Sequence, residues 1–295
     1  SLPRRSRRIL HLPSEWTAVK KLQASAPQIS VANVAPGLLG RLGDRIITVG
    51  QGILQFVGDL TATVARGLVP GNWRRTMRSE FMRALYRVGF NAIPAVAVSA
   101  LLVGIGFVLQ IIYWLGVIGQ ENSVGDFLVL ILAREMAPVV TALILIGRSG
   151  TVILDEVAHL SLNGQIRVLE SHGVDPTDLI AVPRTFAIAV AVFVLNMLFL
   201  HLALWSGYLG ATLTGLTAIS LLEFVENVLQ GMTLKDHLLL LIKPLIIGLV
   251  IAFIPIWLGL RTTTSALAVR QAMPRQFVYS LLATFLISTL ISAVL

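Results

Sequence analysis

Five apolar segments constrain this chain more than any other feature, because each approaches the ~20 residues that a membrane-spanning helix needs. They lie near 92–115, 136–154, 185–207, 238–260 and 277–295. Only 13% of the residues are charged, whereas an ordinary soluble domain carries about 25%. So few charges cannot cover a soluble surface, but lipid removes that requirement. The sequence therefore predicts an all-α, polytopic membrane protein with five transmembrane helices.

The part of the chain before the first span divides into two stretches. Residues 1–37 are polar to mixed, contain several prolines and are assigned to an N-terminal extension. Residues 38–88 are predicted to form interfacial amphipathic helices. In 38–69 apolar residues recur every three or four positions, and 73–88 combines an apolar stripe with a basic edge. A soluble packed helix is the less favoured alternative, since little soluble chain is available to pack on. Residues 89–295 form the five-span domain.

Loop charges predict the orientation of the spans. Fourteen of the 23 Lys and Arg residues precede residue 88. The loop 116–133 contains none and 208–237 contains only Lys235, whereas 155–184 contains two and 261–276 contains three. Basic loops remain cytoplasmic. We therefore expect the N-terminus and the two basic loops on the cytoplasmic side and the C-terminus on the far side.

Several function classes are excluded by what the sequence lacks. There are no cysteines and no Gly-Lys pair, so thiol chemistry and a nucleotide-binding P-loop are absent. The five histidines lack metal-ligand spacing. No nucleic-acid motif accompanies the net charge of +8. The sequence predicts that the chain is not an enzyme and binds no cofactor, metal or nucleic acid of its own.

Charged residues within spans are the strongest functional pointers in a membrane protein. Arg134 and Glu135 stand at the start of the second span, and Lys243 lies within the fourth. Both spans run inward from the outer side, so the three charges share a similar depth and can face one cavity. Pro138 and Pro244 lie beside them, and each removes a helix hydrogen bond. A lipid headgroup site and a structural ion pair both remain open.

Two weaker patterns accompany the spans. The apolar stretch 127–133 is interpreted as a short re-entrant or interfacial piece. Small residues at four-residue spacing, Ala100 with Gly104 and Ser206 with Gly210, predict close helix contact or dimerisation.

The loop 155–184 is too long for a simple turn. Its apolar residues, interrupted by acidic ones and closed by Asp175-Pro176, predict a helix at the cytoplasmic surface. It is either a plain amphipathic connector or a docking helix for a soluble motor.

A family resemblance is carried by REMAPVVTALILIGRSGTVILDE (134–156) and QIRVLESHGVDPTDLIAVPR (165–184). These stretches resemble the MlaE or YrbE family, permeases of ABC transporters that work with MCE-domain proteins. The resemblance extends through YRVGFNAIPAVAVSALLVGIGFVLQ (86–110) and LIKPLIIGLVIAF (241–253). It covers roughly residues 38–295.

The resemblance implies a homodimeric permease in the bacterial inner membrane, with a cytoplasmic N-terminus and a periplasmic C-terminus. The implied partners are a second copy of the chain, a cytoplasmic ABC ATPase that binds ATP and Mg²⁺, a hexameric periplasmic ring of MCE-domain protein and a small STAS-type accessory protein. The implied substrate is phospholipid or a related lipid, moved between the inner membrane and the periplasm or outer membrane.

The resemblance also implies residue roles. Arg134, Glu135 and Lys243 match the family's lipid-pocket charges. The ATPase-coupling helix matches Glu156 to His172, and it includes Gln165 and Glu170. The alternative function is a self-contained secondary transporter or channel with no ATPase partner. Such a protein usually shows an internal repeat, which this sequence does not.

Overall fold

The computed structural model describes residues 38–69, 71, 73–120, 123–216, 219–261 and 265–294. The predicted extension, residues 1–37, lies outside the described residues. Contacts divide the chain into two units, Ser1–Ile53 and Leu54–Leu295. All five membrane-spanning helices belong to the second unit.

Eight helices account for almost all of the described chain, and no strand occurs in it, as the all-α prediction requires. Helices α2, α3, α5, α7 and α8 are long and apolar enough to cross a membrane, which confirms the five predicted spans. The helices are α1 (Leu38–Leu68), α2 (Arg75–Ile118), α3 (Val124–Leu162), α4 (Gln165–Ser171), α5 (Thr177–Leu213), α6 (Leu221–Gln230), α7 (Leu234–Arg261) and α8 (Ala266–Val294).

The spans are longer than their apolar segments. Helix α3 has 39 residues and is therefore about 58 Å long, roughly twice the ~30 Å of bilayer hydrocarbon. This length changes how two amphipathic or apolar stretches are read, and the re-entrant interpretation is wrong. Residues 73–88 were expected to lead into the first span as an interfacial helix, and from Arg75 onward they are its first turns; 127–133 is not re-entrant but lies within α3. The π-helical turns Tyr86–Phe90 and Leu128–Met136 carry the helix through both junctions without a break.

Successive spans run in opposite directions, so each of the five spans has one terminus at each end of the bundle. At the arginine-rich end α2, α5 and α8 begin, while α3 and α7 finish; Gly259 of α7 lies against Val157 of α3 there. At the opposite end α3 begins and α6 packs on it, with Gly125 against Asn227. These two names are used below without reference to the side of the membrane.

Helices α5 and α7 form the interior of the bundle. In their most apolar stretches 56% and 67% of residues are buried, compared with 22% in α2 and 17% in α8. The outer faces of α2 and α8 carry exposed leucines such as Leu102 and Leu286. Lipid accommodates such faces, whereas water would not.

Helix α8 buries a polar row instead of an apolar one. Gln276, Ser280, Thr284 and Ser288, spaced four residues apart, are all buried. Four-residue spacing places them on one helix face, and this face packs on α3 and α7. Small polar residues suit helix contacts in a membrane, where close approach and hydrogen bonds replace the hydrophobic drive.

The C-terminal half of α1 packs on the end of α7. The Phe56 ring lies 5.4 Å from Phe253 and 5.5 Å from Trp257, between ring centroids. The Trp257 indole N–H donates to Asp59 at 3.0 Å. Leu54 and Val57 remain exposed. The predicted helix at 38–69 is confirmed, and its position at the membrane interface stays a prediction.

Close contact between α2 and α5 depends on glycine. A Cβ added at Gly104 would overlap the carbonyl oxygen of Ala203 and the hydroxyl of Ser206. The predicted close contact of small residues is therefore confirmed as a contact between two spans of one chain.

We expect Gly104→Ala to destabilise the protein by about 1–3 kcal/mol, because the backbone oxygen of Ala203 cannot move aside cheaply. Gly106→Ala is the matched control, since nothing lies within 4 Å of a Cβ at that position. Thermal unfolding of both variants in detergent tests this. Equal midpoints for the two would contradict the packing argument.

Candidate functional site

A fully buried lysine lies at the centre of the candidate site. The Lys243 side chain on α7 is only 1% exposed. Its ammonium donates to the Glu135 carboxylate at 3.0 Å, the Ser292 hydroxyl at 2.8 Å and the Arg134 carbonyl oxygen at 2.6 Å. These three acceptors match the three N–H donors of an ammonium group. The site therefore joins α3, α7 and α8.

The Arg134 carbonyl is available because of the proline four residues later. In a helix the N–H of residue 138 would bond to the carbonyl of residue 134, but proline has no N–H. Pro138 thus frees the carbonyl that Lys243 uses. Arg134 also lies in the π-helical stretch Leu128–Met136, and such stretches often occur at functional sites.

Glu135 lies at the edge of the buried cluster, where one side of its carboxylate is exposed. Its carboxylate accepts hydrogen bonds from Ser288 at 3.1 Å and Ser292 at 2.5 Å, in addition to Lys243. The side chain nevertheless remains 44% exposed. The pairing of Glu135 with Lys243 that the sequence left open is therefore present, and the carboxylate is still accessible.

A second ion pair completes the cluster. The Arg134 guanidinium donates to Asp236, whose side chain is 2% exposed. Asp236 also accepts from the backbone N–H and hydroxyl of Thr233, at 2.8 and 2.6 Å. Asp236 was not among the residues predicted from the sequence. The signal was Thr-x-x-Asp at the start of an apolar run, which is typical of a helix N-terminus.

We expect the two single variants of the Glu135–Lys243 pair to lose different amounts of unfolding free energy. Glu135→Leu leaves a buried ammonium without its carboxylate and should cost about 3–5 kcal/mol. Lys243→Met removes the buried charge and leaves a carboxylate that is half exposed, so its cost should be smaller. The double variant should recover most of the loss, since no buried charge remains unpaired.

A double-mutant cycle of unfolding free energies in detergent checks this. Equal losses in the two single variants, or a double variant as unstable as their sum, would contradict a burial-driven pair.

The predicted coupling helix from Glu156 to His172 is wrong as a single element. Helix α3 continues to Leu162, and Gly164 then turns the chain in a left-handed conformation (φ +72°) before α4. A second left-handed glycine, Gly173, follows α4 (φ +72°). Glycine adopts such angles without steric cost, so the chain breaks where an uninterrupted helix was expected.

The four predicted coupling residues fall into two groups. Gln165 and Glu170 are exposed on α4, and His172 follows its end, with Nδ1 2.7 Å from the Val168 carbonyl oxygen. Glu156 lies instead on α3, where Arg87 of α2 and Arg184 of α5 contact its carboxylate. The coupling role of these residues stays a prediction.

An ion-pair cluster fastens the segment after α4 to the end of α1. Arg66 donates to Asp175 at 2.5 Å and to Asp178 at 3.0 Å. Burial works to raise the pKa of the Asp175 carboxyl, but hydrogen bonds from Arg66 and the Thr177 N–H outweigh it and hold the pKa below its usual value. The hydrogen bonds from Arg66 to Asp175 and Asp178 raise the pKa of Arg66.

This lowered pKa predicts a pH dependence. A carboxyl whose pKa is lower in the folded than in the unfolded state stabilises above its unfolded pKa of about 4. The contribution disappears as the pH falls through the folded pKa. We expect Asp175→Asn to cost up to about 1 kcal/mol at pH 5–7, since the pair is partly exposed. The cost should vanish well below pH 4.

Unfolding midpoints of wild type and Asp175→Asn across this pH range measure the difference. When Arg66→Gln is also present, most of the difference in midpoint caused by Asp175→Asn should be absent. A difference that persists unchanged at pH 3 would contradict the assignment.

Five spans with a charged cluster held among three of them define a multi-pass membrane protein. The model of the Permease MlaE family matches residues 81–294, and the chain belongs to this family. A probable ABC transporter permease of Synechocystis is 30% identical over 212 residues, which cover 72% of this chain and 80% of the relative. The chain is thus a permease of the ABC-transporter type.

Two further relatives have more specific names. The intermembrane phospholipid transport system permease protein MlaE of Haemophilus influenzae is 26% identical over 215 residues, covering 72% of this chain and 82% of that protein. The Arabidopsis thaliana protein TRIGALACTOSYLDIACYLGLYCEROL 1, chloroplastic, is 25% identical over 222 residues, covering 75% of this chain and 61% of that protein.

Proposed function

We propose that this permease moves phospholipid or a related lipid, and that Arg134, Glu135 and Lys243 form the headgroup site. In this site Arg134 and Glu135 contact the headgroup, and Lys243 holds Glu135 in place. The observation that carries the proposal is an accessible carboxylate held over a fully buried ammonium inside an apolar bundle. Ionisable groups are expensive at this depth and mark substrate pathways. The name of the Haemophilus influenzae relative supports phospholipid as the substrate class.

The charge balance of the cluster suits a zwitterionic or anionic headgroup. Arg134 and Lys243 are balanced by Glu135 and Asp236, so the empty cluster is neutral. The exposed side of Glu135 can accept from an amine, while the guanidinium of Arg134, 30% exposed, can donate to a phosphate. An apolar groove of about 550 Å³ between α5, α6 and α7 opens at the same end and suits acyl chains.

The proposal includes the partners that an ABC permease needs. A cytoplasmic ABC ATPase binds ATP and Mg²⁺ and contacts the arginine-rich end, where Gln165, Glu170 and His172 are exposed. A hexameric MCE ring, with a STAS-type accessory protein in the assembly, and a second copy of the chain complete it. ATP drives transport only if nucleotide states of the ATPase favour different permease conformations.

The orientation belongs to the same proposal. Arginines concentrate at the end where α2 and α5 begin, which favours a cytoplasmic position for that end in the bacterial inner membrane. The Glu135–Lys243 pair then lies in the periplasmic half, near the MCE ring, and the C-terminus is periplasmic.

Purification of the chain from its native membrane, with mass spectrometry of proteins and lipids, tests the proposal. We expect an ABC ATPase, an MCE-domain protein and bound phospholipid. The Glu135→Leu/Lys243→Met variant should retain the partners and lose phospholipid by about tenfold or more, as expected from deleting charge-assisted hydrogen bonds.

Lys235→Met is the matched control, because it removes an exposed lysine from the same helix, two turns away. Its lipid content should equal that of wild type. Recovery of the chain without an ATPase in mild detergent would favour a self-contained transporter, and unchanged lipid in the double variant would reject the headgroup site.

A further inference from the structure

A second charged cleft lies at the arginine-rich end, among α2, α3 and α5. It has a volume of about 260 Å³. Four arginines and two glutamates line it, together with apolar side chains such as Val88, Val152 and Ile188. The charged residues are Glu80, Arg83, Arg87, Arg148, Glu156 and Arg184. Unlike the neutral cluster around Lys243, this cleft carries an excess of two positive charges.

The two glutamates are too few to accept hydrogen bonds from all the N–H donors of the four arginines. Glu156 is shared, because both Arg87 and Arg184 contact it. The Nη1 atom of Arg184 lies 3.5 Å from Glu156, which is within ion-pair range. That nitrogen is nevertheless buried without a hydrogen bond among the described residues. A buried donor without a partner is costly.

Arg148 adds a positive charge that no carboxylate balances. Within the described part of the chain it makes no ion pair or side-chain hydrogen bond. Its position is the π-helical turn Ile146–Gly150 of α3. The buried Ser149 and the exposed Asn91 add neutral polar groups to the cleft. Guanidinium groups in fixed positions bind phosphate through paired N–H donors.

The cleft is separate from the Lys243 site. Arg148 follows Glu135 by 13 positions in α3, a distance of about 20 Å along a helix. With a hydrocarbon thickness of ~30 Å, the two polar layers lie near opposite boundaries of the bilayer. Arg148 also lies about 21 Å from the end of α3 at Leu162. From this spacing we expect lipid headgroups to meet the cleft.

The size of the cleft limits what it can hold. Its volume of about 260 Å³ is below the ~300–1,000 Å³ of pockets that enclose drug-sized ligands. A headgroup phosphate fits, while the acyl chains must remain in the surrounding lipid.

We propose that this cleft binds the phosphate of an anionic phospholipid headgroup in the leaflet at the arginine-rich end, with Arg148 and Arg184 as its principal donors. The site is independent of the lipid site at Lys243 and does not rest on the transport function. The excess positive charge selects lipids with net negative charge over zwitterionic ones, since only the former balance it.

Native mass spectrometry of the full chain in detergent, titrated with dioleoyl phosphatidylglycerol or dioleoyl phosphatidylcholine, tests this. Beyond any lipid held at the Lys243 site, wild type should bind one further phosphatidylglycerol, at least tenfold more tightly than a further phosphatidylcholine. Arg148→Gln should weaken that binding about tenfold to a hundredfold. Glu156→Gln should strengthen it, because the change releases Arg87 and Arg184 from a competing carboxylate.

Arg270→Gln is the matched control, since it removes an exposed arginine from α8 at the same end but outside the cleft. It should bind phosphatidylglycerol as wild type does. The Glu135→Leu/Lys243→Met variant should also keep this binding, which separates the cleft from the proposed transport site.

Three results would overturn the proposal. They are equal affinity of the two lipids for the further site, equal losses in Arg148→Gln and Arg270→Gln, and binding of inorganic phosphate at millimolar concentration without a further phosphatidylglycerol. The last would assign the cleft to free phosphate and not to lipid.

Discussion

The burial of one ammonium group sets the arrangement of three spans. Lys243 is sealed inside an apolar bundle, where an unpaired charge would be prohibitive. Its acceptors come from two other helices: the Arg134 carbonyl and Glu135 carboxylate from α3, and the Ser292 hydroxyl from α8. Pro138 belongs to the same requirement, since it frees that carbonyl. Relative movement of α3, α7 or α8 must therefore exchange these bonds or open them to another ligand, and this makes the cluster suitable for coupling headgroup binding to helix position.

Hydropathy predicted the number of spans correctly because it measures what a bilayer requires of about 20 residues. It could not predict where the helices end. Residues 73–88 are amphipathic and polar enough to resemble a surface helix, but no cap or proline separates them from the apolar run, so α2 begins at Arg75. After Glu156 the opposite happened: one continuous helix was predicted, but the left-handed Gly164 interrupts it within an amphipathic pattern.

The polar and charged residues of the site also divide into those that the sequence predicted and those that only the packing reveals. Arg134, Glu135 and Lys243 were found from the sequence because ionisable residues are rare within spans. Asp236 and the serines of α8 were not, since Asp236 stands near a span end and serine is common in membrane helices. Their importance depends on which helix faces which, and that is a property of packing. Asp236 is almost fully buried only because Arg134 of α3 reaches it.

The polar row of α8 has a geometric consequence. Because Ser280, Thr284, Ser288 and Ser292 repeat every four residues, they form a nearly periodic ladder. A shift of α8 by four residues, about 6 Å at 1.5 Å per residue, would present equivalent hydroxyls to Glu135, so the hydroxyl residues alone do not define one register. Gln276 removes this degeneracy. It is the one long side chain in the row, and its amide fills the space that Gly150 leaves by having no side chain. Gln276 therefore fixes the register of α8, because the other polar contacts of this row would be equivalent after the shift.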